Sequence, residues 1–279
     1  MQHKLIENNR GLTQFPPLTE GLTEISVFNN QLTAIPDELW LQKNLQVLNL
    51  SANQLTHISD KIGQLTNLRM IDLGHNQITA IPETIGQLMQ LDAFLYLHNN
   101  QLTELPNTIG FLQGLPYLNI SQNRIGHLPD SIGNLTSLLE LKAEKNNILA
   151  LPDSFAQLRQ LVELHLADNQ LTALPPGFEQ LQALRVLNLE NNRLTQMPLH
   201  NTALTELYLR NNHITHIPND IIHLKNLRKL DVRGNRIKEI PSALQHLPHL
   251  ERLDLRWNPI NSIPDWVMAL KENGCLIYI

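Results

Sequence analysis

Apolar residues recur along the chain in one fixed pattern, in which a short alternating run is followed by an asparagine and then a proline. Residues 161–183, LVELHLADNQLTALPPGFEQLQA, show the pattern in full. Leu164 and Leu166 flank His165, and this alternation is typical of a short β-strand with one buried face. Pro175 has no amide N–H and therefore ends the extended segment. The pattern predicts a strand followed by an outer segment that returns the chain to the core.

An asparagine follows each predicted strand at a constant distance. A buried side-chain amide must find partners for its donor and its acceptor. We therefore expect these anchor asparagines to stack in register and to bond to the backbone of neighbouring turns. The eleven anchors are Asn30, Asn53, Asn76, Asn100, Asn123, Asn146, Asn169, Asn192, Asn212, Asn235 and Asn258.

The spacing of the anchors is nearly constant. Of the ten steps between them, eight are 23 residues long, one is 24 and one is 20. The motif L-x-x-L-x-L-x-x-N-x-L with this period is the signature of the leucine-rich repeat. It predicts an α/β solenoid of about eleven to twelve units, a right-handed superhelix with a parallel concave β-sheet and short helical or irregular convex segments.

Two steps depart from the common length. Between Asn76 and Asn100 one residue is extra, and because Leu95 and Leu97 keep the inward positions we expect the insertion just before the strand. The unit that ends at Asn212 is three residues short, since LHNTA replaces a full outer segment.

We predict a single leucine-rich-repeat domain over residues 1–279. Residues 1–21 form a degenerate N-terminal cap, residues 22–264 the repeats, and residues 265–279 a capping helix and strand that cover the open end of the sheet. Asp265 is placed near the start of this helix and Gly274 at its end.

Recurring glycines in the outer segments invite comparison with phosphate-binding loops. They occur in Ile-Gly pairs at the period of the repeat, and the chain has no G-x-x-x-x-G-K-[ST] motif. We interpret them as turn residues that close a short helical segment.

Composition narrows the functional classes. The chain is 42% apolar and only 5% aromatic, as expected for an aliphatic repeat core, and its net charge of −5 does not indicate a general nucleic-acid binder. The single cysteine argues against disulfide-linked caps. The N-terminal residues contain no apolar run and no 18-residue apolar stretch occurs, so we expect a cytoplasmic protein without a membrane span.

No constellation of catalytic residues is evident, and we expect no enzymatic activity. Cys275 alternates with Ile277 and Ile279, which favours a buried capping thiol over a nucleophile. The twelve histidines include no H-E-x-x-H motif and no zinc spacing, so no metal or cofactor is predicted.

The outward positions of the strands are not dictated by the framework and therefore carry the functional information. These side chains point away from the core on the concave, inner face of the sheet, where they predict an aromatic zone, an acidic band and a basic end. Aromatic and arginine side chains are enriched at interface centres. The alternative is a solvated face with internal ion pairs, such as Asp231 with Arg233 or Arg256. The predicted partner-binding residues are Met70, Phe94, Tyr96, His98, Tyr117, Glu140, Lys142, Glu163, His165, Glu206, Tyr208, Arg210, Arg233, Arg256 and Trp257.

Over residues 12–264 the consensus LxxLxLxxNxLxxIPxxIGxL resembles the Ras-group class of leucine-rich-repeat proteins, which are intracellular scaffolds. Arg10 stands where an anchor would, 20 residues before Asn30, so a second 20-residue step precedes the first anchor. This step, with Phe15-Pro16, and the step from Asn192 to Asn212, with Met197-Pro198, resemble the shorter repeats of bacterial secreted effectors. The resemblance implies an intracellular scaffold that binds a partner protein on its concave face, and we expect it to act in signalling as a monomer. The net charge and the absence of a long apolar stretch predict that it binds neither nucleic acid nor membrane. The alternatives are a secreted effector that acts in another cell, or the substrate-recognition part of an enzyme complex.

Overall fold

A computed structural model describes residues 3–199, 201–272 and 274–279. Three features predicted above fall partly outside these residues: the first two residues of the N-terminal cap, His200 of the short repeat, and Asn273 before the predicted helix stop. The chain divides into two compact units, Met1–Asn147 and Ile148–Ile279.

The first unit contains parallel strands that pair in sequence order, each with the next. Its 3-10 helices, five residues each, lie between successive strands from β2 onwards. The strands are β1 Lys4–Ile6, β2 Glu24–Ser26, β3 Val47–Asn49, β4 Met70–Asp72, β5 Phe94–Tyr96, β6 Tyr117–Asn119 and β7 Glu140–Lys142, and the helices are Asp37–Leu41, Asp60–Gln64, Glu83–Gln87, Asn107–Phe111 and Asp130–Asn134.

The second unit repeats this organisation and ends in an α-helix and a strand. Its strands are β8 Glu163–His165, β9 Val186–Asn188, β10 Glu206–Tyr208, β11 Lys229–Asp231, β12 Arg252–Asp254 and β13 Leu276–Tyr278, also parallel and paired in order. Its helices are the 3-10 segments Asp153–Gln157, Phe178–Gln180, Asn219–His223 and Ser242–His246, and α1 Trp266–Glu272. The predicted α/β solenoid fold is therefore confirmed.

The strands are short because only three residues of each repeat fit the pleated pattern before the asparagine turns the chain inward. In β8 the side chain of Leu164 is fully buried, whereas the flanking Glu163 and His165 are partly exposed. Leu166, directly after the strand, is also fully buried. One face of the strand thus builds the aliphatic core, and the other presents side chains that the core does not constrain.

The asparagine ladder is present as predicted. The Asn53 amide donates to the carbonyl oxygens of Val27 at 3.0 Å and Leu50 at 3.1 Å, and its Oδ1 accepts from the backbone N–H of Leu32 at 3.0 Å. Each side chain therefore ties its own turn to the preceding repeat. Ten anchors, Asn30 to Asn235, are at most 9% exposed, and Asn258 is half-buried.

The residue before each anchor adopts the left-handed conformation. Its φ lies between 52° and 64°, and only at Gly234 is the residue a glycine. The same conformation occurs at Asn9, with φ 58°, just before Arg10, which stands where an anchor would be. The N-terminal segment thus copies the turn of a repeat, and its strand β1 pairs with β2.

The glycines of the outer segments have a different role from the one predicted. Gly63, Gly86 and Gly110 lie inside the 3-10 helices, and none has a positive φ. A Cβ on Gly86 would lie 2.6 Å from the carbonyl oxygen of Thr108, and one on Gly110 would lie 2.5 Å from that of Ser131. These glycines therefore allow the outer helices of successive repeats to pack closely, and the interpretation as turn residues is wrong.

The two irregular steps are accommodated outside the strands. In the 24-residue step the register Phe94 to Met70 is kept, and the extra residue lies between the buried Leu91 and the start of β5, as predicted. In the 20-residue step no helix occurs between β9 and β10 among residues 189–199 and 201–205. The shortening therefore removes the outer helix and leaves the strand pairing intact.

The C-terminal segment contains a short helix and a final strand. Helix α1 begins one residue after Asp265, and Gly274, with φ 94°, follows its last turn. β13 then pairs with β12 and covers its free edge. Cys275 is 4% exposed, and burial raises the pKa of its thiol, which disfavours the reactive thiolate.

Candidate functional site

An aromatic cluster lies on the face of strands β5 and β6 that points away from the core, which is the outward face of the strands. The rings of Phe94 and Tyr96 stack with centroids 5.6 Å apart, and Tyr117 lies 5.5 Å from Phe94 and 5.3 Å from Tyr96. His98 contacts Tyr96 edge-on at 5.9 Å. We call Phe94, Tyr96, His98 and Tyr117 the aromatic cluster. These contacts arise because residues two apart on a strand share a face and neighbouring strands lie about 5 Å apart.

His98 lies at the edge of the aromatic cluster and packs closely against Gly74 and His75. Its ring lies over Gly74, where a Cβ would come within 2.4 Å of it, and meets the ring of His75 at 4.7 Å. Its Nδ1 is buried and has no hydrogen-bond partner among the described residues. Burial, and then the neighbouring His75, lower the pKa of His98 despite the opposing charge of Asp72.

This lowered pKa predicts a loss of stability in mild acid. The folded-state pKa of His98 lies below its unfolded value of about 6.5, so its contribution is fully present above that pH and is lost as the pH falls towards the folded-state pKa. We expect the thermal midpoint to fall between about pH 7.5 and about pH 5.5, and to fall less in His98→Gln, which cannot be protonated in this range. An equal fall in both proteins would assign the acid sensitivity to other groups.

A charged pair borders the aromatic cluster. Lys142 Nζ lies 3.1 Å from a Glu140 carboxylate oxygen and 5.6 Å from the ring centroid of Tyr117. Burial alone would lower the pKa of Lys142, but hydrogen bonds to Glu140 and Tyr117 outweigh it and raise that pKa. The cation is therefore held above a tyrosine face, a favourable arrangement. Met70, on β4, contributes a half-buried apolar side chain at the other side.

Two further carboxylates of the predicted partner-binding set, Glu206 and Glu163, also have partners. Glu206 accepts from Tyr208 Oη at 2.6 Å and from Lys229 Nζ at 2.8 Å. These donors lower the pKa of Glu206 although burial opposes them. Glu163 lies 3.3 Å from a ring nitrogen of His165. Glu206 and Glu163 thus form local pairs with neighbouring lysine, tyrosine or histidine side chains.

The predicted basic end contains its own counter-charges. Asp254 is fully buried, and Arg256 forms a bidentate pair with it at 2.9 and 2.7 Å. Asp231, 6% exposed, pairs with Arg233 Nε at 2.9 Å. The predicted alternative of internal pairing therefore holds for Arg233 with Asp231, whereas Arg256 pairs with Asp254 instead. Buried aspartates with fixed arginine partners hold the guanidinium planes in place.

The exposed indole ring of Trp257 contacts three arginine side chains. Trp257 is 65% exposed, and the guanidinium carbons of Arg210, Arg233 and Arg256 lie 5.5, 5.9 and 5.7 Å from its ring centroid. We call these four residues the arginine–tryptophan cluster. Arg210 forms no ion pair within the described residues, and its buried Nε has no hydrogen-bond acceptor there. Stacking on the indole is therefore its principal contact.

The structure thus brings the predicted residues together in local groups. In the first unit these are the aromatic cluster with Met70, Glu140 and Lys142. In the second they are the pairs around Glu163 and Glu206 and the arginine–tryptophan cluster. Sequence reasoning missed His75, which precedes an anchor and contacts His98. The signal for it was present, because Trp257, which was predicted, occupies the same position of its own repeat.

Comparison with known families agrees with this architecture. The family described as leucine rich repeat matches residues 20–78, 43–94 and 202–260, and the family described as leucine-rich repeat region matches residues 109–208. The chain is a leucine-rich-repeat protein. Neither family description names a catalytic activity, and no curated protein matches the chain.

Solved structures give the same result. A leucine-rich-repeat protein of Leptospira interrogans is 26% identical with a TM-score of 0.76, over 99% of this chain and 95% of that one. The leucine-rich-repeat protein in the octameric complex of Latrophilin 3, Unc5D and FLRT2 is 26% identical with a TM-score of 0.75, over 98% and 87%. The plant peptide hormone receptor RGFR1, in complex with RGF2, is 26% identical with a TM-score of 0.65, over 85% and 48%.

Among the described residues, no helix has both the length and the apolar character needed to cross a membrane.

Proposed function

We propose that the protein is a non-enzymatic scaffold that binds a partner protein through the outward face of its strands, with the aromatic cluster as the principal contact. The observation that carries this proposal is the packing of Phe94, Tyr96 and Tyr117 against one another on the face that the core does not use, with Phe94 41% exposed. Contiguous exposed aromatic surface is uncommon on soluble proteins and marks interaction sites.

The cluster has the properties of an interface centre. Its rings are fixed by mutual contacts and by the pair of Glu140 and Lys142, so little side-chain entropy remains to be lost on binding. Aromatic side chains of this kind dominate measured binding energies. We expect the partner to place apolar side chains against Tyr96 and Tyr117 and basic groups near the inner-face carboxylates Glu140, Glu163 and Glu206.

The similar structures support a protein as the ligand class. RGFR1 is described in complex with RGF2, and FLRT2 in a complex with Latrophilin 3 and Unc5D. Fold similarity alone does not determine function, so the proposal rests on the aromatic cluster.

The cellular context is a further part of the proposal. The 23-residue consensus of the Ras-group class favours a monomeric adaptor in intracellular signalling, active in the cytoplasm. The 20-residue step before Asn212 favours the second candidate, an exported bacterial effector. Detection of the tagged protein in the medium or in a contacted cell, without lysis of the producing cell, distinguishes the two.

The test of the proposal is affinity capture from the native lysate with three immobilised proteins. The parent and Phe111→Ala are expected to retain the same specific partner, because Phe111 is an exposed aromatic residue on an outer 3-10 helix. The double variant Tyr96→Ala, Tyr117→Ala is expected to lose it. Retention by all three proteins would place recognition elsewhere on the molecule.

A further inference from the structure

Asp72 lies beside the aromatic cluster and has no cationic partner. It is the last residue of β4 and is in register with Tyr96 of β5. Its Oδ1 accepts the backbone N–H of Gly74 at 2.9 Å, whereas its Oδ2 is accessible and forms no hydrogen bond or ion pair within the described residues. At the outward positions of strands β3 to β6, all of which are described, Asp72 is the only Asp, Glu, Lys or Arg. A single negative charge therefore lies on an otherwise apolar and aromatic surface.

The same strand position in the second unit shows what such a carboxylate binds. Asp231 and Asp254 are the last residues of β11 and β12. Each pairs with the arginine two residues later, Asp231 with Arg233 and Asp254 with Arg256. Both guanidinium groups also lie against the ring of Trp257, at 5.9 and 5.7 Å from its centroid. In this chain, an aspartate at the end of a strand thus holds a guanidinium group against an aromatic ring.

On β4 the arginine of this arrangement is missing. The residue two positions after Asp72 is Gly74, so the first unit provides the carboxylate and the aromatic rings without the guanidinium group. The ring of His98 covers Gly74, but burial and a second histidine lower the pKa of His98, so it is neutral at neutral pH. Lys142 is paired with Glu140 at 3.1 Å. The chain itself therefore leaves the charge of Asp72 unmatched.

The rings beside Asp72 suit the same kind of cation. Residues in register on neighbouring strands lie about 5 Å apart, so a group bound to the Asp72 carboxylate also reaches the ring of Tyr96. Burial, and then the nearby Tyr117 and Asp72, raise the pKa of Tyr96, which keeps its hydroxyl protonated. Aromatic faces attract cations, and a planar guanidinium group can stack on a ring while it donates two hydrogen bonds to a carboxylate. A lysine ammonium can do neither of the last two, so arginine is the favoured residue.

We propose that the partner protein places an arginine side chain at this position, with its guanidinium group paired to the Asp72 carboxylate and stacked against Tyr96. The partner's arginine would then take the place that Arg233 and Arg256 hold beside their own aspartates. This inference rests on the proposed function, because it names one residue that the partner contributes next to the aromatic cluster. It makes Asp72 a specificity determinant of that surface.

The test uses the peptide acetyl-Leu-Arg-Leu-amide as the probe and the same peptide with citrulline as its matched control. Citrulline has the length of arginine but a neutral urea group in place of the guanidinium group. Methyl NMR spectra of the full chain follow Met70, which is in register with Phe94, and the exposed Met89 serves as the internal reference. We expect the arginine peptide to shift the Met70 signal saturably and to leave Met89 unchanged. The citrulline peptide should bind roughly tenfold more weakly, as the loss of a charge-assisted hydrogen bond implies.

Two variants assign the preference to Asp72. Asp72→Asn removes the charge and fits the fold, since Asn49 and Asn119 hold the same strand position and accept the N–H two residues later at 3.0 and 3.1 Å. Asp130→Asn makes the same change at an exposed position on an outer 3-10 helix. We expect Asp72→Asn to bind the two peptides equally and Asp130→Asn to keep the parental preference for arginine.

The inference is overturned if the arginine peptide causes no saturable shift of Met70, if the parent binds both peptides equally, or if Asp72→Asn keeps the preference. Failure of the proposed function has a different signature, because the double variant Tyr96→Ala, Tyr117→Ala would then retain its captured partner. Loss of the partner by that double variant, together with equal binding of the two peptides to the parent, would overturn the arginine inference alone.

Discussion

Replacement of Asn123 by alanine is expected to lower the free energy of unfolding by about 1–3 kcal/mol, which is the usual cost of leaving a buried polar group without its partner. The Asn123 amide donates to the carbonyl oxygens of Leu97 and Ile120, each at 3.0 Å, and its Oδ1 accepts from the N–H of Leu102 at 3.0 Å. The two carbonyls also accept from the amides of Asn100 and Asn146, so the change leaves the buried N–H of Leu102 without its acceptor and removes a tie between two successive turns of the chain.

Urea denaturation of the variant and of Asn147→Ala measures this effect. Asn147 is exposed and directly follows the anchor Asn146, so it provides an asparagine of the same turn outside the ladder. We expect its replacement to change stability by less than about 0.5 kcal/mol, as is usual for surface substitutions. Similar losses in the two variants would show that the ladder is not what holds successive repeats together.

The double variant Tyr96→Ala, Tyr117→Ala is expected to weaken partner binding by tens-fold or more. Truncation of a central aromatic residue typically costs about 2 kcal/mol or more, and about 1.4 kcal/mol corresponds to a factor of ten. The thermal midpoint should change little, because both rings are partly exposed on the outward face and the core beneath them is formed by Leu95 and Leu118.

Isothermal titration with the captured partner measures this loss, and Phe111→Ala serves as the control. Phe111 is 59% exposed on an outer helix, so its truncation removes an aromatic side chain of the same kind from a different surface. We expect the control to bind like the parent. A double variant with parental affinity would contradict the assignment of the aromatic cluster to recognition.

The framework of this fold was predictable because its constraints are local and repeat. Alternation around Leu164 and Leu166 specifies a strand, and an asparagine at a constant offset must be buried with its partners. The structure confirms both, and the irregular step before β5 keeps its register for the same reason: Leu95 and Leu97 must remain inside.

The outer glycines show where prediction from one repeat fails. Gly86 and Gly110 could be recognised as periodic, but their purpose depends on the distance to the next repeat. The short separation from Thr108 and Ser131 is a property of packing between units, which the pattern within a unit does not contain. A turn was therefore the natural interpretation and the wrong one.

Side-chain pairing on the outward face was predictable only as a set of possibilities. The sequence placed Arg233 and Arg256 near Asp231 and Asp254. It left open whether these arginines contact a partner protein or pair with the aspartates. The structure pairs each arginine with the aspartate two residues before it on the same strand face, and adds the Trp257 ring between the guanidinium groups. The rotamers of the arginines and the burial of Asp254 determine this pairing. The residue types at the outward strand positions do not reveal either.

The aromatic cluster offers a partner more accessible contacts than the arginines do. Arg233 and Arg256 already have carboxylate partners, so a ligand must compete with Asp231 and Asp254 for them. The rings of Phe94 and Tyr96 contact one another and Tyr117, and they keep part of their surface exposed, so a ligand can pack against them without displacing an ion pair.

Hydroxyl-radical footprinting of the protein with and without its captured partner tests the central proposal most directly, since it needs no substitution. We expect oxidation of Phe94, Tyr96 and Tyr117 to decrease in the complex, while the exposed Phe111 and Met89 are oxidised as before. Protection of Phe111 and Met89 with unchanged oxidation of the aromatic cluster would contradict it.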